Sequence, residues 1–425
     1  MLVVGDMHSA YERTAQFVAR VDRIRAENPG VPCAVLIDGD TFELGNAVAR
    51  RSGGAIEFAM LAALARRGPV VLNLGNHEPE FFGMAETVAR LRATGAIVVG
   101  GNVLDRATGE PYAPARAKIP LGPREATIVG LTTDALATFR VAVRPELDLA
   151  NPVVWARQHL PGMFRAVPLP IVLSHAGLLA DREILPLVPR GTLFAGAHDH
   201  LRFVQRTDGA VYFHSGSWTA FVSIARLNPT EAGLAWSVEQ QPIAADDPAD
   251  PALAALIRET FAKYLTPEET AVIGRMPQAL APDEAARFAV EAARRAAGAD
   301  VALVGATTFG AGLPAGDVTR FSLDACVRFD GTLFVGEVAG ARLRPVLARA
   351  NQGPDTPFAE RTGENLVATG LAPAALAPEK IYRVVVNDWL ARSAKRLFGD
   401  DTPAFVERPE LKLKAAAISA LAPAK

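Results

Sequence analysis

Apolar residues come in short blocks along the first half of the chain, and stretches with a longer period fill the gaps between them. Leu2 to Val4 form one block, and residues 31–37, 69–74 and 96–102 form others of strand length. Between them, residues 9–27, 55–68 and 85–95 carry apolar positions near a 3.6-residue period and predict helices. Such alternation argues for a layered α/β domain with a largely parallel sheet. Blocks at 126–131, 169–175, 191–198 and 210–217 then follow with short connections and read as further strands.

The pattern changes after residue 240. Residues 242–252, PIAADDPADPA, are rich in Pro and Asp and read as a linker. Helical stretches at Leu253–Tyr264 and Pro282–Ala297 come next, and a second α/β segment runs from about residue 299 to 391. The last fifteen residues predict a final helix. The expected organisation is therefore a first domain over 1–240, a linker with connecting helices over 241–298, and a smaller domain over 299–425.

Composition narrows the function classes. Of 425 residues, 44 are Lys or Arg and 46 are Asp or Glu, so the balanced charge gives no footprint for a nucleic acid polymer. No apolar run approaches the ~20 residues that span a bilayer. The two cysteines, Cys33 and Cys326, lie in apolar blocks and read as buried small hydrophobes rather than a disulfide framework. The first block is short for a strand, which suggests a start further upstream, and no signal peptide is visible.

The seven histidines do not scatter. Asp6 and His8 follow the first apolar block, Asp38 and Asp40 the second, and Asn76, His77 and Glu78 the third. His175 ends the block at 169–175, and His198 and His200 follow the apolar run 191–195. In open α/β sheets, ligands bind at the carboxyl ends of strands. Five strand ends would thus bring carboxylates, imidazoles and an amide oxygen to one edge. Borderline divalent ions accept that mixture, and one carboxylate can bridge two ions ~3.5–4 Å apart. A lone histidine is more often structural than a ligand; it is the order of five motifs that argues for a metal site. Asp38 and Glu78 read as residues that support the turns, His159 as a surface residue, and His214 as a candidate partner behind the site.

The motifs GDMHS, DGD, GNHE, SHAG and GAHDH, in that order, resemble the calcineurin-like metallophosphoesterases. With the linker and second α/β segment, the chain is most similar to their 5′-nucleotidase branch, which includes UDP-sugar hydrolases and 2′,3′-cyclic phosphodiesterases. The resemblance implies a four-layered α-β-β-α sandwich followed by a smaller α/β domain of the 5′-nucleotidase C-terminal type. It implies two divalent ions, of Mn, Zn, Fe, Co or Mg. Asp6, His8, Asp40 and His200 would hold the first, with Asp40 bridging, and Asn76, His175 and His198 would complete the second. His77 would face the phosphoryl group as the catalytic histidine. Glu80 stands where an aspartate usually orients that histidine. Ser9 and Ala197 stand where glycines are common.

The second segment departs from the family. Where an arginine is expected after the strand, ALVGATTFGAG places Gly310. Asn365 takes the position of a first aromatic. Trp389 keeps the second aromatic, with core packing as its commoner reading, but Arg392, Ser393 and Lys395 replace the Gly-Gly-Asp turn. The implied function is a two-metal phosphoesterase acting on a small phosphate ester or nucleotide-like substrate, with altered specificity. Alternatives are a thiosulfohydrolase-like hydrolase of sulfur compounds, or a binding protein with a relic metal site. A monomer is expected. Location follows the start of the chain: periplasmic or exported by resemblance, cytoplasmic if the chain is complete.

Overall fold

The short apolar blocks become strands whose carboxyl ends finish at one edge of the first unit. The computed structural model describes residues 1–231, 233–363, 365–399 and 402–423. Its contacts divide the chain into two units, Met1–Tyr264 and Leu265–Lys425.

In the first unit, β1 (Leu2–Gly5), β2 (Val35–Asp38), β3 (Val70–Asn73) and β4 (Ile97–Val99) lie side by side and parallel. A small pair, β5 (Val103–Asp105) with β8 (Leu147–Leu149), brackets β6 (Arg116–Leu121) and β7 (Arg124–Thr132) in the chain. Then come β9 (Leu169–His175), β10 (Thr192–Gly196), β11 (Arg202–Arg206), β12 (Ala210–Ser215), β13 (Phe221–Thr230) and β14 (Gly233–Pro242). One six-stranded sheet has the order β14-β13-β1-β2-β3-β4, and the other β11-β12-β10-β9-β7-β6. The central strands β7, β9, β10 and β12 of the second sheet are parallel.

Period-two alternation splits the core into layers. Leu2, Val4, Ile37 and Leu72 pack with Phe17, Val18, Val21, Leu61, Leu64, Val88 and Leu91. These come from helices α1 (Tyr11–Glu27), α3 (Ala55–Arg67) and α4 (Met84–Ala93), with the short α2 (Ala47–Ser52) between the first two. The intervening strand positions, Met1, Val3, Leu36, Val71 and Val99, face the other way. They meet Ile128, Ile171, Leu173, Leu193, Ala195 and Phe213 of the second sheet. Helices α5 (Pro152–Met163) and α6 (Leu178–Ile184) follow β8 and β9. The result is the expected four-layered α-β-β-α sandwich.

The stretch expected as a linker with connecting helices divides between the units. Residues 242–250 run across the first: Arg13 Nε donates to the Ile243 carbonyl at 3.1 Å, Arg20 pairs with Asp247 at 2.8 Å, and Arg67 with Asp250 at 2.6 Å. Asp250 Oδ1 then accepts from the Leu253 amide and starts helix α7 (Pro251–Tyr264). That helix lies against α1, α2 and α3.

The second unit is built on a five-stranded mixed sheet of the ranges 366–370, 301–305, 381–387, 332–339 and 405–412, in that order. Helix Pro282–Ala297 lays an alanine stripe, Ala285, Ala289 and Ala293, against Ala302 and Val304, with Leu413 and Ala417 of the last helix beside it. The other face buries Val301, Leu303, Val384 and Val386 under Leu343, Val346 and Leu390. Cys326 is buried, as its sequence context suggests, but Cys33 is only half-buried; both are free thiols.

Candidate metal centre

The expected ligands are brought together because five parallel strands stop at the same level. β1 delivers Asp6 and His8, β2 delivers Asp40, β3 delivers Asn76, β9 ends on His175, and β10 delivers His198 and His200. The turns that follow these strands are unusually bent. Ten non-glycine residues among those described have positive φ, and eight of them sit in these turns or the one after β12. Five are Asp6 (48°), His8 (47°), Asp40 (54°), His198 (80°) and His200 (56°). Left-handed backbone is costly for a residue with a side chain, and it collects where function over-determines the conformation.

The side chains of the expected ligands converge in two groups, with a third of His8, Glu43 and His77 alongside. Single ligand atoms of Asp6, His8 and His200 lie within 4.8 Å of one another, and so do those of Asp40, His175 and His198. His8 Nε2 is 3.0 Å from His200 Nε2, and both nitrogens are within 3.9 Å of Asp6 Oδ1. Asp40 Oδ2 is 3.0 Å from His175 Nε2 and 3.7 Å from His8 Nε2, so this carboxylate lies between the groups. Its Oδ1 accepts from the His77 amide at 2.7 Å.

This donor set suits divalent ions. A tetrahedral site with metal–nitrogen bonds of ~2.0–2.1 Å has ligand atoms roughly 3.3 Å apart, close to the separations here. Burial, with the charge of His175 adding to it, pushes His198 down to about 3. Burial and neighbouring His8 hold His200 well below the usual range. Both imidazoles are therefore neutral, the form that binds metals. Asn76 is buried with its amide nitrogen 3.4 Å from the Thr138 carbonyl, and its Oδ1 has no hydrogen-bond partner. A buried amide oxygen without a donor is what a cation would satisfy.

The supporting residues are as informative as the ligands. His175 Nδ1 is 2.8 Å from the Asp38 carbonyl oxygen, which turns Nε2 toward Asp40 and Asp6. The Asp38 side chain accepts from Asn73 Nδ2 at 2.9 Å and from the Ser174 amide at 3.1 Å, and burial pushes its carboxyl up to about 8. Asp38 thus supports the turn, as expected. Glu80 reaches His77: its Oε1 is 2.6 Å from Nδ1, so the longer carboxylate spans the gap. Burial pulls His77 down, but the Asp40 charge, the Glu80 hydrogen bond and the Glu43 charge outweigh it and raise it to about 10. Ser9, standing where glycine is common, takes a left-handed φ of 53° and donates its hydroxyl to Glu57.

Glu78 is the strongest of these supports. Its carboxylate accepts from three backbone amides, Asp40 at 2.9 Å, Thr41 at 2.9 Å and Gly75 at 2.6 Å, and so pins the turn after β2 to the turn after β3. Bonds to a charged partner contribute ~1.5–3 kcal/mol each, and buried donors left unmatched cost a further ~1–3. Glu78→Ala is expected to destabilise the first unit by roughly 3 kcal/mol or more. That lowers its melting temperature by roughly 6–12 °C. Calorimetry showing a loss below about 1 kcal/mol would mean that water replaces the carboxylate.

His214 belongs to a buried polar group of its own. Its Nε2 is 2.7 Å from the Tyr212 hydroxyl, which donates to Asp181 Oδ2 at 2.8 Å, while Ser174 Oγ donates to Asp181 Oδ1 at 2.5 Å. This buried group lies behind Ser174, one residue from His175. It exists because Gly196 of β10 pairs with both Ser174 and His214. A Cβ at Gly196 would collide with His214 and Asp181. His159 is exposed and packs on Trp155, with ring centroids 4.5 Å apart. Two residues escaped the sequence reading. Trp218, at φ 60°, lays its ring 4.7 Å from that of His8 and 5.5 Å from that of His200. Glu43, three residues after Asp40, is buried beside His8 and His77.

In the second unit, Trp389 is 47 % exposed, so core packing is not its role; its ring lies against Gly305. Gly310 could hold no larger residue, because a Cβ there would meet the Ala325 carbonyl oxygen at 2.5 Å and Arg328 Nε at 2.8 Å. An arginine is therefore near that turn after all, but Arg328 is buried rather than extended. Asn365 is half-buried, and its carbonyl accepts from the Ala306 amide at 2.8 Å. Arg392 and Lys395 are exposed.

Comparison with known proteins follows the same division. Residues 1–202 match the family model for calcineurin-like phosphoesterases, and residues 269–399 that for the 5′-nucleotidase C-terminal domain. The fold is similar to a 5′-nucleotidase precursor of Thermus thermophilus, with TM-score 0.64, 19 % identity, 99 % of this chain covered and 95 % of the other. It is also similar to the sulfate thiohydrolase SoxB of Thermus thermophilus, with TM-score 0.65, 17 % identity and coverage of 97 % and 80 %. The 5′-nucleotidase of Candida albicans has TM-score 0.61, 13 % identity and coverage of 99 % and 97 %. No curated protein sequence matches the chain. Among the described residues, no helix is long and apolar enough to cross a membrane.

Proposed function

The chain is a calcineurin-like phosphoesterase domain followed by a 5′-nucleotidase C-terminal domain, and from that premise we propose that it is a two-metal hydrolase of small phosphate esters. The observation that carries this reading is the convergence of six donor residues, five in left-handed backbone, at the carboxyl ends of four strands, with the turn that carries Asn76 bonded to Asp40 through the His77 amide. Asp6, His8, Asp40 and His200 are assigned to one ion, and Asn76, His175 and His198, with Asp40 shared, to the other. When bound, such ions supply Lewis-acid activation of the phosphoryl group and a nucleophile from water at neutral pH.

The chain's own residues would do the rest. Asp40 sits between the two groups and is fixed from both sides, by the His77 amide on one oxygen and His175 on the other. His77 is held by Glu80 through Nδ1, so its Nε2 is the nitrogen left to meet a substrate. Its side chain is 19 % exposed, against 7 % for His200, 3 % for His8 and 0 % for His175, so it is more open to solvent and substrate than these three. It would stabilise charge on the phosphoryl group or give a proton to the leaving oxygen.

Elemental analysis of the purified protein, combined with a release screen over many esters, tests the reading. Two equivalents of a divalent ion and release of phosphate are expected. Sulfate release from thiosulfonate-type compounds, with no phosphate from any ester, would favour the thiosulfohydrolase alternative. Esters with good leaving groups, such as p-nitrophenyl phosphate, should be hydrolysed, because their recognition rests on the phosphoryl contact. AMP should be no better a substrate. A nucleotidase uses binding energy from the remote base and sugar to position the reacting group, whereas here Gly310 offers no side chain, Asn365 no stacking face, and Arg328 is buried. Trp389→Ala should then change kcat/KM for AMP by less than about 2-fold, a small fraction of the ~1–3 kcal/mol a stacked base contributes. A kcat/KM for AMP far above that of the generic ester, falling sharply in the Trp389 variant, would show a working nucleotide site.

A further inference from the structure

We infer that Glu43 positions His8 for metal binding, as a carboxylate that fixes which imidazole nitrogen faces the cluster. The inference rests on the two-metal reading above and deepens it. Glu43 is 2 % exposed, and one of its oxygens, Oε1, is committed to the Gly45 amide at 2.8 Å. That bond holds the other oxygen, Oε2, in place at 3.5 Å from His8 Nδ1. The opposite ring nitrogen of His8, Nε2, faces His200 at 3.0 Å, Asp40 at 3.7 Å and Asp6 at 3.9 Å. Glu43 is therefore on the far edge of the ring from the donor group. It orients the ligand and does not join it.

The geometry decides between the two imidazoles beside Glu43. Atoms of His8, Glu43 and His77 fall within 4.8 Å of one another, so both rings are near the carboxylate. His77 Nδ1 is 4.0 Å from Glu43 but 2.6 Å from Glu80, which is its closer partner. The shorter contact of Glu43 is to His8. A carboxylate facing Nδ1 favours the proton on that nitrogen and leaves the Nε2 lone pair for the ion. The backbone of His8 is left-handed, and its ring packs against those of Trp218, His200 and His77, with centroids 4.7, 4.8 and 4.9 Å away.

The test is a titration of the metal-stripped full chain with Mn²⁺ or Zn²⁺ against a competing chelator, at one pH, in wild type, Glu43→Gln and Glu43→Leu. Wild type should bind two equivalents. In the variants one equivalent should weaken by ~10–100-fold, the usual effect of losing a partner that orients a ligand. Leu should be worse than Gln, whose amide oxygen still accepts a hydrogen bond, and the other equivalent should be unchanged. A folded variant that keeps both equivalents at wild-type affinity overturns the inference. So does equal weakening of both, which would make Glu43 a general support of the site. If Glu43→Leu does not fold, Glu43→Gln decides alone by the same criteria. A wild-type protein that binds fewer than two ions overturns the two-metal reading itself, a result distinct from any difference among the variants.

Discussion

Asp40→Asn is expected to remove bound metal and activity together. Asp40 is the carboxylate between the two donor groups, 3.0 Å from His175 and 3.7 Å from His8. Burial alone would raise its pKa, but the charges of His175 and His77 outweigh it and hold the carboxyl well below the usual range. An ionised carboxylate at this place supplies the negative charge that two dications need between them. An amide has the same shape and no charge. It also presents two N–H donors where the site needs acceptors. Two-metal activation is worth several kcal/mol of transition-state stabilisation. At 1.36 kcal/mol per decade, a fall in kcat/KM of about 10³-fold or more is expected. Metal analysis of the same preparation should show less than one equivalent. Wild-type metal content with wild-type turnover would refute the assignment of Asp40 as a bridge.

Much of this site could be read before the structure, for a specific reason. Each motif sits where an apolar block ends, and in a parallel sheet all such ends share an edge, so chain order alone groups Asp6, His8, Asp40, Asn76, His175, His198 and His200. The elements followed in the same way from periodicity: helix α3 covers residues 55–67 and strand β9 residues 169–175, where the pattern puts them. What stayed hidden depends on turns and registers. Glu43 reaches His8 because the chain bends at Asp40 and His8, both left-handed, and no period encodes that. The Asp181–Tyr212–His214 group depends on β10 pairing with β9 and β12 in one register, at a glycine whose missing side chain makes the space. Arg328 fills the gap beside Gly310 from eighteen positions further along the chain. The linker reading weighed the Pro/Asp composition of residues 242–252 and could not see that Arg20 and Arg67 would anchor Asp247 and Asp250.

His77→Asn is expected to separate chemistry from metal binding. His77 lies outside the groups centred on Asp6 and Asp40 and shares a third group with His8 and Glu43, where its Nδ1 is 2.6 Å from Glu80. Its backbone amide, not its ring, contacts Asp40, and an asparagine keeps that amide. Both ions should therefore stay bound at wild-type stoichiometry. The asparagine side chain can donate a hydrogen bond to a phosphoryl oxygen but cannot give up a proton at neutral pH. Loss of a general acid typically costs ~10²–10⁴-fold in kcat. The size of the loss should depend on the leaving group. Esters of p-nitrophenol, whose oxygen leaves without a proton, should lose the least, and alkyl phosphates, whose oxygen needs one, the most. An equal loss for both would show that His77 stabilises the phosphoryl charge and does not protonate the leaving oxygen. A collapse of metal content in the same variant would make His77 a ligand and remove it from the catalytic role.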